Sequence, residues 1–188
     1  SLDVLFRWVR DLYVEHETMP WLLSTVPDDR AAALLITHDV DYGPSVANAE
    51  RYAQVLRSRH IHVMAGAAEG ATARQTYLNN LAWACDRAPH ASLTIEPMNP
   101  VDMPGYFLAG FDQAAEVLDH LDRPNLGLQF DAYHAHMITG DVLACWRAHA
   151  PRVRHLQIAG APGRHEPAGG DIDYRAFLGA VQDRKSVV

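Results

Sequence analysis

Cysteine is scarce in this chain of 188 residues: there are two, Cys85 and Cys145, far apart and without a CxxC pairing. That excludes a disulfide scaffold and a thiolate metal centre, and leaves free thiols in a reducing, cytoplasmic setting as the expectation. Long apolar runs are missing too. No stretch approaches the roughly 20 residues of a membrane span, and no basic-then-apolar signal segment opens the chain, so no membrane partner is expected. Positive charge is also short: 16 Lys and Arg stand against 23 Asp and Glu, a formal net charge of −7. Phosphate backbones are bound by basic faces, so no nucleic-acid partner is expected either. What remains, 48% hydrophobic and 21% charged, is the composition of one globular domain over residues 1–188.

From residue 60 onward the chain alternates in pattern. "HIHVMAG", "ASLTIEPM", "LGLQFDAYH" and "RVRHLQIAG" read as short buried strands. Between and after them, "ARQTYLNNLAWACDRA", "FLAGFDQAAEVLDHL", "DVLACWRAHA" and "DYRAFLGAVQ" read as helices. Strand and helix in turn, at about 30 residues per unit, predict parallel βα units with helices covering the sheet. Before residue 60, "SLDVLFRWVRDLYVEHE" and "PSVANAERYAQVLRSR" read as helices and "MPWLLSTVP" as a strand, while "AALLITHDVDYG" is left open between strand and loop.

The polar residues fall where such a fold binds ligands, at the carboxyl ends of its strands. Glu96 ends one strand, Asp131 the next, and Gln157 lies near the end of the third. A lone buried carboxylate is costly unless something compensates it; a lone strand-end acid is more often a helix cap or a loop salt bridge. Three oxygen-bearing side chains on consecutive strands suit a shared hard cation such as Mg²⁺ or Mn²⁺. Close behind them, Asp102 is placed to reach ligand hydroxyls or to cap a helix starting near Pro104. His134 is placed to bind substrate or to hold a ligand carboxylate, with simple packing as the alternative. Arg164, in the glycine- and proline-rich loop "APGRHEPAGGD", is placed to grip a carboxylate with its fork of donors. His136 reads as loop. Most of the 11 histidines are expected to be surface or packing residues.

Taken together, "IHVMAG", "IEPMNPVDMPGYFL", "PNLGLQFDAYH" and "HLQIAGAPGRHEP" resemble the hydroxypyruvate isomerase family. That family includes 2-oxo-tetronate isomerases and lies in the xylose-isomerase-like TIM-barrel superfamily; the resemblance spans residues 45–182. It implies an α/β fold, a (β/α)₈ TIM barrel, with a divalent metal held by a glutamate, an aspartate, a glutamine and a second glutamate. Glu96, Asp131 and Gln157 match the first three, and Glu96 is also one of the family's acid/base pair. His134, Arg164 and Asp102 match substrate-handling positions. The implied reaction is isomerisation of a small hydroxy or oxo acid through an enediolate, with a homo-oligomer as a possible assembly. A ketose 3-epimerase is the alternative, although that group usually has histidine where Gln157 stands. An abasic-site endonuclease would need more zinc-binding histidines and a basic face. A barrel relic acting as a binding module is the non-enzymatic alternative.

The chain departs from the family at its end. The second glutamate belongs to a last-strand string like "GWVGLEY", and the sequence reads "QDRKSVV" instead. A full barrel takes roughly 250 residues. The expectation is therefore an incomplete barrel with residues 183–188 a non-native, adapter-like tail, divergent or missing N-terminal units, and impaired turnover.

Overall fold

The computed structural model describes residues 60–185; the helices and strand expected within residues 1–59 lie outside them. The described chain runs β1 (His60–His62), α1 (Gly70–Arg87), β2 (Ser92–Ile95), α2 (Phe111–Leu121), β3 (Leu126–Asp131), α3 (Ala132–Thr139), α4 (Val142–His149), a 3₁₀ turn (Ala150–Arg152), β4 (Val153–Gln157) and α5 (Tyr174–Lys185). The four strands form one parallel sheet in chain order, each hydrogen-bonded to the next. The architecture is that of half a (β/α)₈ barrel, as the alternating pattern predicts. Helix α5 continues past Gln182 to Lys185.

β3 ends at Asp131, so the residues Ala132 to His134 read with its strand belong to α3; two further boundaries differ from expectation for local reasons. β1 stops at His62 because the following backbone turns to other partners: the Ala65 amide donates to the Tyr106 hydroxyl and the Phe107 amide to the Gly66 carbonyl. α2 starts at Phe111 and not at Phe107, because Gln113 folds back on the preceding turn. Its Oε1 accepts from the Ala109 amide at 3.1 Å and its Nε2 donates to the Phe107 carbonyl at 2.9 Å, a side-chain cap on otherwise unpaired backbone groups.

The period of two divides each strand into two faces. Ile61, Leu93, Ile95, Leu128 and Phe130 are buried in the apolar core. Phe130 is fully buried there, with ring centroids 5.1 Å from Phe111, 5.3 Å from Trp146 and 5.9 Å from Phe177. Phe130→Ala should therefore cost about 3–5 kcal/mol of stability, read as a lower urea midpoint at unchanged slope. The opposite face is polar: the register sets His62 beside Thr94, Thr94 beside Gly127, Gln129 beside His155 and Asp131 beside Gln157.

That last pairing depends on an irregularity. Leu128 pairs with Val153, but Gln129 pairs with His155, so Arg154 is the extra residue of a β-bulge. Had the register run on unbroken, Leu156 would stand beside Asp131. Gly127 belongs to the same arrangement, since a Cβ there would overlap Cγ of Arg154 and crowd the Arg152 carbonyl.

Candidate active site

Glu96 follows directly on β2 and is 3% exposed. Its Oε2 accepts from Gln129 Nε2 at 2.7 Å and lies 3.6 Å from His62 Nε2, while its Oε1 is buried with no hydrogen-bond partner among the described residues. Burial, reinforced by the charge of Asp131 and opposed by His62 and Gln129, pushes the Glu96 carboxyl up to about 7. Asp131, the last residue of β3, divides its work. Oδ1 caps α3 by accepting from the Tyr133 amide at 2.8 Å, so the helix-cap reading is correct for that oxygen. Oδ2 faces Arg164 Nη2 at 3.2 Å and His134 Nε2 at 3.9 Å. Gln157 closes β4, and its Oε1 accepts from the same Gln129 nitrogen at 3.1 Å.

His134 stands in α3 and is fully buried. One atom from each of Glu96, Asp131 and His134 can be chosen so that all lie within 4.8 Å of one another, which on distance alone makes His134 a metal ligand. Hydrogen bonding argues otherwise. His134 Nδ1 faces two donors, the Asn99 amide at 3.1 Å and Asn99 Nδ2 at 2.8 Å. Nδ1 is therefore the acceptor, and in the neutral ring the proton sits on Nε2. Desolvation lowers the His134 pKa and favours that neutral ring. A protonated Nε2 donates to an oxygen and does not ligate an ion. Among the described residues, His134 Nε2 is buried without a hydrogen-bond acceptor.

Asn99 has every hydrogen-bonding group satisfied. Besides His134, its Nδ2 donates to Asp102 Oδ2 at 3.0 Å, and its Oδ1 accepts from the amides of Val101 and Asp102. Asp102 is exposed in this turn, and the Asn99 bond holds its carboxyl below the usual range. It caps no helix, since Gly110 precedes α2. Arg164 sits in the loop after β4 with a left-handed φ of 54°, its guanidinium 5.4 Å from the Tyr133 ring centroid. Such a backbone is uncommon for a non-glycine residue and is often held in place at ligand clamps. His136 lies in α3, not in a loop. Cys85 and Cys145 are free and buried, with thiols pushed up by burial to about 11 and about 12, so neither is a nucleophile.

The sequence reading missed Gln129, His62 and Asn99. For Gln129 a signal existed: it lies two residues before Asp131 in one strand, hence on the same face.

The arrangement suits a hard divalent cation. Glu96 Oε1 is a buried carboxylate oxygen with no donor among the described residues, a costly state that a cation would relieve, and Asp131 Oδ2 and Gln157 Oε1 bring further oxygens to the same rim. The model of the xylose isomerase-like TIM barrel family matches residues 45–186. The chain belongs to this family. Among its relatives, a 2-oxo-tetronate isomerase of Cupriavidus necator is 39% identical over 173 residues, covering 86% of this chain and 66% of the relative. A hydroxypyruvate isomerase of Escherichia coli is 33% identical over 161 residues, covering 82% and 62%. The chain thus spans about two thirds or less of the length of these relatives. Among solved structures, a protein of Brucella melitensis described as an AP endonuclease, family 2, superposes with a TM-score of 0.71 at 33% identity, over 74% of this chain and 56% of that one.

Proposed function

We propose that this chain carries the ion- and substrate-binding rim of an isomerase of small hydroxy or oxo acids, with hydroxypyruvate or a 2-oxo-tetronate as substrate. The observation that carries the reading is the convergence of Glu96, Gln157 and Gln129 on one hydrogen-bonded unit beside Asp131. Relatives named as isomerases of these two acids support it.

In this reading Glu96, Asp131 and Gln157 hold Mg²⁺ or Mn²⁺, which when bound supplies Lewis-acid stabilisation of charge developing on substrate oxygens. Arg164 pairs with the substrate carboxylate. His134 donates Nε2–H to a substrate oxygen, and Asp102 accepts from a hydroxyl. Glu96 removes the proton from carbon 3 of hydroxypyruvate to give the enediolate. A proton returned to carbon 2, with the oxygen-bound proton moving from O3 to O2, gives tartronate semialdehyde. In the family resemblance the returning acid is a second glutamate, for which this sequence has no matching string. Proton abstraction is therefore the half-reaction to test.

With Mg²⁺ in D₂O, the protein should speed deuterium entry at carbon 3 of hydroxypyruvate above a control of Mg²⁺ alone, read by ¹H NMR. Exchange into ketohexoses but not into hydroxypyruvate or 2-oxo-tetronate would favour a 3-epimerase. Exchange into none of them would overturn the reading.

A further inference from the structure

We infer that Gln129 is a positioning residue that aims Glu96 and Gln157 at the ion and so sets the affinity of the site; this rests on the metal reading above. Gln129 is 3% exposed and sits one layer below the rim on the inner face of β3. Its Oε1 accepts from the Thr94 hydroxyl at 3.2 Å. Its Nε2 donates to Glu96 Oε2 at 2.7 Å and to Gln157 Oε1 at 3.1 Å. One amide thus links the inner faces of β2, β3 and β4.

The orientation of that amide is determined by its partners. A carboxylate, the form that holds a cation, only accepts, so the Gln129 nitrogen faces Glu96, and the Thr94 hydroxyl provides the donor for the oxygen on the other side. Both N–H groups are then committed. Two consequences follow for the rim. Glu96 is held by Oε2, which leaves Oε1 as the oxygen without a protein partner. Gln157 must turn its oxygen, and not its NH₂, toward Gln129, because the reverse would set donor against donor. An amide oxygen has a second lone pair, so the same atom remains able to face a cation. Without Gln129 the Gln157 amide is free to flip and present N–H groups, which repel an ion.

The test is Gln129→Met, which preserves the length of the side chain and removes both donors. Its Mn²⁺ dissociation constant, by calorimetry, should rise about 10–100-fold, the range for losing a partner of a metal ligand, while circular dichroism stays as in wild type. Should that variant not fold, Thr94→Val serves instead: it keeps the NH₂ but releases its anchor, and Mn²⁺ binding should again weaken. Wild-type affinity in a folded variant overturns the inference. The metal-free protein gives an independent readout. In ¹⁵N NMR spectra the Gln129 side-chain NH₂ should exchange slowly with solvent and shift in both Glu96→Gln and Gln157→Leu. Indifference to both substitutions also overturns it. Failure of wild type to bind Mn²⁺ would instead remove the metal reading and, with it, the claim that Gln129 sets affinity.

Discussion

Glu96→Gln should sharply weaken divalent-cation binding while leaving the fold in place. Calorimetric titration with Mn²⁺ should give a saturable isotherm for wild type and a Kd weaker by on the order of 10²–10³-fold for the variant, because ligand charge and geometry tune such sites over orders of magnitude. The replacement has nearly the same volume, and its amide oxygen can still accept from Gln129 Nε2, so packing changes little. What disappears is one of two carboxylate charges, on a side chain 3% exposed and with an oxygen that no donor among the described residues satisfies. An amide also cannot take a proton from carbon, so Glu96-dependent deuterium exchange should fall by about 10²–10⁴-fold, the usual contribution of a positioned base. Undiminished Mn²⁺ affinity in Glu96→Gln would remove this residue from the ion site.

Metal-free protein should lose stability as the solution is made more alkaline, and Glu96 should be the cause. Burial is the main reason its carboxyl stands at about 7 in the folded chain, against an ordinary 4.5. The folded value lies above the unfolded one, so the folded state holds this proton more tightly. The associated stability is present in full below pH 4.5 and is lost as the pH rises through about 7. The size of the rise corresponds to about 3 kcal/mol, an order-of-magnitude figure. Urea unfolding in EDTA should show wild type falling relative to Glu96→Gln between pH 5 and pH 8. Added Mn²⁺ should remove the fall, since an ion bound only by the folded state stabilises it. Parallel pH profiles for wild type and variant would refute the assignment.

The parts of this site legible in the sequence were those that depend on strand ends. Glu96, Asp131 and Gln157 each close an apolar run, and parallel strands deliver their last residues to one rim. The layer below was hidden, because Gln129 and Thr94 sit within buried strands and read as core until the alternation of faces is applied. His134 lies near the rim, but which of its nitrogens carries the proton depends on Asn99, 35 positions away in sequence. Such long-range pairs leave no local trace. Helix α3 escaped notice because it is eight residues long and begins on a side-chain cap supplied by Asp131 itself. The bulge at Arg154 left no signal either, since the run "RVRHLQ" suits either parity.

Because Arg154 sets the parity of β4, the lining of this barrel can change in two unequal ways. A substitution at Gln157 alters one oxygen and leaves its neighbours facing as before. Deleting Arg154 would only close the bulge and leave Gln157 beside Asp131, whereas inserting a single residue between Arg154 and His155 would set Leu156 beside Asp131 and turn Gln157 to the other face, exchanging a wet column for a dry one in one event. For descendants of this fold, a one-residue insertion in the fourth strand is a discrete step that changes which side chain stands beside Asp131.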